Sequence, residues 1–259
     1  MNEGITVKDL SVGYEEPILS GLSFHMAEEE FWVVVGPNGA GKTTLIKTIL
    51  GIIPPLSGEI FIHGKRCTNW CDERKFLSYV PQMENYASNF PSNVFEVVLS
   101  GLFPRLKRFQ KITEKEVKTI EKWLKFLDLW ELRDKKFNDL SGGQQRKVLI
   151  ARALVGSPHY IFLDEPTTGV DLKNSRKIIK LLNSLHKEKK FGICMITHEL
   201  SSVWHYIDKV ILLGYEGKFF IGKKEEILNE ELLSQIYQVE VKIAQTEGGP
   251  IFLVWDKHN

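Results

Sequence analysis

The sequence predicts an α/β fold with an antiparallel β subdomain and an inserted α-helical subdomain. The continuous apolar run Phe31–Val35 is typical of a strand buried on both faces of a parallel sheet, and residues 45–50 then recur at helical spacing. Residues 5–24 alternate apolar and polar side chains in short runs, which favours antiparallel strands. Residues 85–158 have helical character, and buried-strand composition returns at residues 160–163.

No internal repeat is visible, so these segments indicate a single domain. Thr113 and Glu116 have the spacing of a capping box at the start of a helix in the central block. The end of the chain predicts one helix over residues 226–236 and a last strand over residues 251–254. We expect three parts: a core (residues 1–84 and 159–225), a helical subdomain (residues 85–158) and a C-terminal extension (residues 226–259).

Composition and charge disfavour several classes of protein. A chain of 259 residues can bury a sizeable core, and its net charge of +1 gives no indication of nucleic-acid binding. No apolar run approaches the ~20 residues that a spanning helix needs, and the first residues lack an apolar signal segment. Three cysteines fit a reducing compartment. We therefore expect a cytoplasmic protein that binds no nucleic acid.

Cys67 and Cys71 lie close to His63 in the sequence and suggest a metal site at first. A C-x-x-x-C segment lacks the second half of a structural zinc site, however, and His63 stands in a predicted hairpin turn. We expect no metal at these cysteines.

Residues 36–43 fit the phosphate-loop template G-x-x-x-x-G-K-[ST] at every fixed position, between a predicted strand and a predicted helix. Backbone N–H groups at this helix start would hold phosphate oxygens, and glycines let the backbone approach them. Lys42 is expected to reach the β- and γ-phosphates, and Thr43 to ligate Mg²⁺. The expected nucleotide contacts are Gly36, Pro37, Asn38, Gly39, Ala40, Gly41, Lys42, Thr43 and Thr44.

Two acidic residues end the next predicted buried strand. The Asp164 carboxylate is expected to meet Mg²⁺ beside the phosphate loop, and Glu165 is expected to point to the other side of the strand end. The simpler interpretation is a pair of solvated acids at the end of a strand. The position of the two residues directly before Pro166 disfavours this interpretation.

Residues 140–144, Leu-Ser-Gly-Gly-Gln, precede a strong helix, and Ser141 is a natural N-cap for it. This is a second helix start suited to an anion. The residues alone leave two interpretations open, an ordinary serine cap and a phosphate contact, and they do not say whose phosphate it would be.

The phosphate loop, the Ser141 turn and the Asp164–Glu165 pair resemble, in this order, the ATP-binding cassette (ABC) ATPases over most of the chain. The resemblance implies a P-loop NTPase (RecA-like) core that hydrolyses ATP with Mg²⁺, and a Glu165 that polarises the attacking water. It also implies a head-to-tail homodimer with two ATP molecules in the interface. The residues that would close over the partner's γ-phosphate are Ser141, Gly142, Gly143 and Gln144.

Four further residues match the family in its order. Gln82 matches the glutamine that senses Mg²⁺ and the attacking water, and His198 matches the histidine that hydrogen-bonds the γ-phosphate. Asp171 matches a loop that crosses the dimer interface, and Tyr14 matches the aromatic residue that stacks on adenine. Singly, each has a simpler interpretation: a polar loop residue for Gln82, a helix cap for His198 and a packed strand aromatic for Tyr14.

The absence of a predicted spanning helix and the resemblance together imply the ATPase subunit of a transporter, placed on the inner face of the cell membrane. Its implied partners are two permease subunits, docking near residues 82–105, and an extracytoplasmic substrate-binding protein. Residues 89–102 resemble importers of metal ions and metal chelates, and residues 167–171 resemble zinc and manganese importer ATPases. Residues 233–241 are more similar to siderophore, haem or cobalamin importers. We expect import of a metal ion or metal chelate and name no cargo.

Two other functions compete with this hypothesis. A soluble ABC mechanoenzyme, such as an iron–sulfur cluster assembly ATPase, also carries a single cassette. A P-loop kinase is disfavoured by residues 140–144 and by Glu165.

Overall fold

The computed structural model describes residues 4–68, 71–82, 92–106, 110–246 and 249–255. Residues 89–91 of the segment that resembles metal importers, and residues 83–91 of the expected permease-docking segment, lie outside the described residues. Within the described chain, no helix combines the length and the hydropathy that crossing a bilayer requires.

The first sheet is the predicted antiparallel subdomain. Its strand order is β2-β1-β4-β5, and every pairing in it is antiparallel. Along β1 the buried side chains Ile5, Val7 and Leu10 face the core, and the pairing with β2 shifts register between Val7 and Leu10. The strands are β1 (Ile5–Gly13), β2 (Pro17–Met26), β4 (Ser57–Ile62) and β5 (Lys65–Arg66).

The second sheet forms the centre of the molecule and has the order β10-β9-β3-β8-β7-β6. Its pairings are parallel except the one between β9 and β10. Every residue of β3, β7 and β8 is buried, because layers cover both faces, and this explains their continuous apolar sequences. The strands are β3 (Phe31–Val35), β6 (Leu77–Val80), β7 (Tyr160–Asp164), β8 (Gly192–Ile196), β9 (Lys209–Leu213) and β10 (Phe219–Lys223).

Alternate residues of β3 belong to two different hydrophobic cores. Val33 and Val35 join the core beneath the helical layer, whereas Trp32 and Val34 join the core shared with the antiparallel sheet. This follows from the period of two in a strand, which sends successive side chains to opposite faces. The central sheet therefore stabilises both of the layers that flank it.

The helices complete the predicted fold class, which is confirmed. The predicted capping box is present, because Glu116 Oε2 accepts a hydrogen bond from the backbone N–H of Thr113 at 2.9 Å. Helix α4 packs against α2 and α3 to form the helical subdomain. The helices are α1 (Lys42–Ile49), α2 (Val94–Ser100), α3 (Glu114–Phe126), α4 (Gly142–Val155), α5 (Leu172–Lys189), α6 (Leu200–Val203), α7 (Lys224–Ile227) and α8 (Glu230–Tyr237).

The C-terminal region differs from the prediction of one helix and one strand. The helix is split into α7 and α8 at Leu228, because Asn229 caps α8 by accepting a hydrogen bond from the backbone N–H of Leu232. The last strand has a partner, so that β11 (Glu240–Thr246) and β12 (Gly249–Trp255) form an antiparallel hairpin.

Cys67 and Cys71 form a disulfide, with Cα atoms 5.3 Å apart. The sequence did not predict this pairing. Cys67 is buried in the core below the antiparallel sheet, and the free Cys194 is buried in β8.

Candidate functional site

The phosphate loop joins β3 to α1 at the carboxyl edge of the central sheet. Gly36 has a φ of 148°, and a Cβ there would lie 2.1 Å from the carbonyl oxygen of Leu213 on β9. Gly39 has a φ of 82°, a backbone conformation that favours glycine. A Cβ at this position would meet nothing within 4 Å, so the outer face of the loop is open.

Lys42 is buried at the start of α1, and its ammonium group lies inside the loop. Its Nζ donates hydrogen bonds of 2.8 Å to the carbonyl oxygens of Gly36 and Pro37. Burial lowers the pKa of Lys42, while the nearby carboxylates of Glu165 and Asp164 oppose this shift. The carboxylates thereby favour the charged amine that phosphate recognition needs.

Thr43 and Asp164, two of the three predicted Mg²⁺ contacts, touch each other directly, whereas the third, Gln82, bonds to Glu165. The Thr43 hydroxyl donates to Asp164 Oδ2 at 2.9 Å, and the Tyr79 hydroxyl donates to the same oxygen at 3.2 Å. Asp164 is 2% exposed, and burial raises its pKa although both hydroxyl groups act in the opposite direction. A hydroxyl and a carboxylate oxygen are hard donors that fit Mg²⁺.

Glu165 has hydrogen-bond partners different from those of Asp164. His198 Nε2 lies 2.8 Å from Glu165 Oε1, and Gln82 Nε2 donates to Oε2 at 3.3 Å. The Thr168 hydroxyl also donates to Oε2, at 2.9 Å. The backbone of Glu165 is left-handed, with a φ of 48°. For a residue with a side chain this costs on the order of 1 kcal/mol, a strain that is common at functional sites.

Arg146 is a central residue that the sequence analysis missed. It is 1% exposed on α4, and its guanidinium donates to the carbonyl oxygens of Pro81 at 3.3 Å and Thr168 at 3.5 Å. Burial lowers the pKa of Arg146 to about 10, against the attraction of Asp164 and Glu165. Arg146 thus connects the helical subdomain to the segments that carry Gln82 and Glu165. The only available signal was a charged residue among the apolar positions of α4.

Tyr79 was also missed. It occupies β6 opposite Phe162 of β7, and burial raises the pKa of its hydroxyl well above the ordinary value. Its position three residues before Gln82 gave a weak signal, but its contact with Asp164 depends on the order of the strands.

The Ser141 turn is a capped and open helix start. The Gln144 N–H donates to Ser141 Oγ at 3.4 Å, and the Ser141 N–H donates to Gln144 Oε1 at 3.0 Å. A Cβ on Gly142 or Gly143 would meet nothing within 4 Å, so packing within the chain does not require glycine at either position.

Some predicted site residues make no described hydrogen bond to Lys42, Thr43, Asp164 or Glu165. Asp171 caps α5, accepting from the backbone N–H of Asn174 at 3.1 Å, and this bonding lowers the pKa of Asp171. Tyr14 is 66% exposed between β1 and β2. Residues 141–144 make their described hydrogen bonds within their own helix start. These predicted roles all concern a second chain or a nucleotide.

Comparisons with known proteins identify the family of the chain. A family model described as ABC transporter matches residues 19–168, more than half of the chain. The ATP-binding protein of a high-affinity zinc uptake system from Bacillus subtilis is 39% identical over 211 residues, which cover 81% of this chain and 90% of that protein. The ATP-binding protein of a manganese transport system from the same organism is 35% identical, covering 90% and 92%.

Solved structures give the same result. A structure described as a metal-chelate type ABC transporter in an inward-facing conformation superimposes with a TM-score of 0.84 at 29% identity, covering 99% of both chains. A nucleotide-free ATP-binding cassette from an ABC transporter gives a TM-score of 0.74 at 27% identity, covering 90% of this chain and 94% of that one. The chain therefore belongs to the ABC transporter family, as an ATP-binding subunit that hydrolyses ATP.

Proposed function

We propose that this chain is the ATPase subunit of an importer of a metal ion or metal chelate, and that it hydrolyses ATP as a head-to-tail homodimer. The observation that carries the catalytic part is the double anchoring of the Glu165 carboxylate by His198 and Gln82, next to the Thr43–Asp164 pair. Similarity to zinc and manganese transport ATPases supports the cargo class.

Thr43 and Asp164 would hold Mg²⁺, because their oxygens are 2.9 Å apart and provide the donor types that this ion prefers. When bound, Mg²⁺ neutralises charge on the β- and γ-phosphates of ATP. Lys42 would exchange its two carbonyl acceptors for phosphate oxygens, and the backbone N–H groups of the loop would bind the same anion.

Glu165 would orient the water that attacks the γ-phosphate. Gln82 and Thr168 fix one carboxylate oxygen and His198 contacts the other, so the carboxylate has little rotational freedom. Phosphoryl transfer depends mainly on positioning and charge stabilisation, and a fixed carboxylate therefore contributes without further reorganisation. His198 would then also meet the γ-phosphate.

The Ser141 turn would complete the site of a second copy of the chain. Its first helical N–H groups have no acceptor inside the helix, and Gly142 and Gly143 leave this surface open. The Ser141 turn of one chain would cover the phosphate loop of the other, and Gly39 leaves the surface of that loop open in the same way. Hydrolysis then requires closure of two chains, and closure is a motion that permease subunits can use.

Arg146 would connect this closure to the helical subdomain. Because its guanidinium binds the carbonyl oxygens of Pro81 and Thr168, a shift of α4 moves the groups beside Gln82 and Glu165. Phe103, within the expected docking segment, is 59% exposed and offers an apolar contact for a permease.

Two experiments test this proposal. The chain is captured in detergent from membranes of the cells that produce it, and we expect a complex with a membrane protein of several spans. In cells grown with a chelator, the Glu165→Gln variant should abolish metal accumulation measured by elemental mass spectrometry. Exclusively soluble partners and unchanged metal content would instead favour a soluble ABC mechanoenzyme.

A further inference from the structure

Glu28, His63 and His159 meet at the edge of the central sheet opposite the ATP site. Glu28 lies in the turn between β2 and β3, His63 in the turn between β4 and β5, and His159 directly before β7. Asp164 stands at the other end of β7, about 16 Å away for a strand of this length. This cluster has no part in the chemistry proposed for ATP.

The three ligand-type atoms form a nearly equilateral triangle. His63 Nε2 lies 3.0 Å from Glu28 Oε1, His159 Nδ1 lies 3.2 Å from the same oxygen, and the two ring nitrogens are 3.3 Å apart. A tetrahedral zinc ion with bonds of about 2.0–2.2 Å separates neighbouring ligand atoms by about 3.3–3.6 Å. If the ligand atoms moved apart by a few tenths of an ångström, the triangle would match one face of a zinc tetrahedron.

The His63 ring is held in the orientation that a metal ligand requires. Its Nδ1 lies 3.2 Å from Glu73 Oε2, and Glu73 also binds the ammonium of Lys65. A carboxylate on the far nitrogen of a histidine fixes its tautomer and directs the other nitrogen to the metal.

The backbone and the rings around His159 are also ordered. The backbone N–H of His159 donates to the carbonyl oxygen of Phe76 at 2.8 Å, and the carbonyl oxygen of His159 accepts from the backbone N–H of Gly192 at 2.8 Å. The Phe76 ring packs against both imidazoles, with centroids 4.5 Å from His159 and 5.4 Å from His63. This packing limits rotation of both rings.

The cluster remains open on one side. The side chains of His63, Glu28 and His159 are 18%, 30% and 42% exposed, and a cavity lined by Glu28 and His159 adjoins them. Water can therefore supply a fourth ligand.

We propose that Glu28, His63 and His159 form a binding site for a divalent transition metal ion, with Zn²⁺ as the best match to two imidazoles and one carboxylate. The site goes beyond the proposed function, since it requires neither ATP nor a permease. A bound ion would join the antiparallel sheet, through His63, to the central sheet, through His159, and would stabilise the folded chain.

The test is a titration of the purified full chain with Co²⁺, followed by visible absorption, and then displacement of Co²⁺ by Zn²⁺. We expect one tetrahedral ion per chain, and Zn²⁺ should raise the midpoint of thermal unfolding. His63→Ala and His159→Ala should both remove the absorption and the thermal shift. Glu73→Gln should weaken binding by about 10- to 100-fold, because it removes the orienting carboxylate and leaves the three proposed ligands in place.

His25→Ala is the matched control, because His25 is an exposed histidine of the same antiparallel subdomain, and it should bind Co²⁺ as the wild type does. Circular dichroism in the presence of a chelator confirms that each variant is folded. The proposal is wrong if His63→Ala and His159→Ala both retain the ion. Loss of the ion on His198→Ala or Cys67→Ser alone, with both alanine variants still binding, would assign it to the ATP site or to the cysteines.

Discussion

His198 Nε2 lies 2.8 Å from Glu165 Oε1, although 33 residues separate the two in the chain. The contact arises because β7 and β8 are parallel neighbours, with Asp164 paired to Ile196, so both strands deliver their following residues to one edge of the sheet. The strained backbone of Glu165, with a φ of 48°, directs its carboxylate away from Asp164 and toward this histidine. One strand end would thereby serve both of the tasks proposed above, metal binding by Asp164 and water orientation by Glu165.

The first prediction concerns Glu165→Gln. The amide can keep its contacts with Gln82 and Thr168 but loses the negative charge that attracts a water proton. We expect phosphate release to fall by at least about 100-fold, as for loss of a general base, while ATP still binds. Sedimentation should show a dimer in the presence of ATP.

Glu199→Gln is the matched control for Glu165→Gln, because Glu199 is an exposed acid next to His198. It should hydrolyse ATP at the wild-type rate. Hydrolysis by Glu165→Gln close to that rate would remove Glu165 from the reaction.

The second prediction concerns Ser141→Arg. A bulky cation on this open helix start should block the approach of a partner's phosphate loop, so hydrolysis should stop while nucleotide binding to the monomer persists. Asn229→Arg, at the N-cap of α8, changes a cap of the same kind outside the residues assigned to the ATP site and should keep its activity. Fluorescent ATP binding and phosphate release measure the two properties separately.

A mixing experiment tests the same composite site directly. A heterodimer of Ser141→Arg and Glu165→Gln contains one site with an intact Glu165 and an intact partner Ser141. Mixing the two inactive variants should therefore restore hydrolysis. If the mixture stays inactive although heterodimers form, each site is built from a single chain.

The third prediction concerns Arg146→Met. The hydrogen bonds to the carbonyl oxygens of Pro81 and Thr168 are lost, so both acceptors lose their charged partner. We expect the free energy of unfolding to fall by about 1–3 kcal/mol and kcat to fall with little change in KM for ATP. Arg176→Met, at an exposed position of α5, should change neither quantity. Urea unfolding and steady-state kinetics provide the measurements, and an unchanged kcat would exclude a role for Arg146 in joining the subdomains.

The local part of the fold was predictable because its signals are contiguous. The strand β3, the phosphate loop and α1 follow one another without interruption, so the apolar run, the glycines and the helical spacing could be read together. Ser141 was predictable for the same reason, since a cap and its helix are adjacent. The predicted role of each residue toward ATP or a partner chain stays a prediction.

Contacts between distant segments were less accessible. Tyr79 meets Asp164 only because β6 lies beside β7, and the sequence does not state strand order. His63 was considered with the neighbouring cysteines, but the turn directs it to Glu28 and His159, which are remote in the chain. Strand β11 was missed because its alternating pattern is short, with Val241 and Ile243 as its alternating apolar positions, and because its partner follows only later in the same hairpin.

The fourth prediction concerns the stability of Asp164→Asn. Burial raises the pKa of Asp164 above its unfolded value, so the folded chain holds this proton more tightly than the unfolded chain does. The stabilisation that this provides is complete at a pH below the unfolded pKa and is lost as the pH rises through the folded pKa; at neutral pH the buried charge is destabilising. Without nucleotide, Asp164→Asn should therefore unfold at higher urea concentration than the wild type at pH 7, and this gain should shrink as the pH falls toward the unfolded pKa of an aspartate.

The Asp164→Asn variant should also lose Mg²⁺-dependent hydrolysis. Asp171→Asn should give no gain, because asparagine replaces aspartate well at an exposed N-cap. Equal stability of Asp164→Asn and the wild type at pH 7 would contradict a desolvation cost at Asp164.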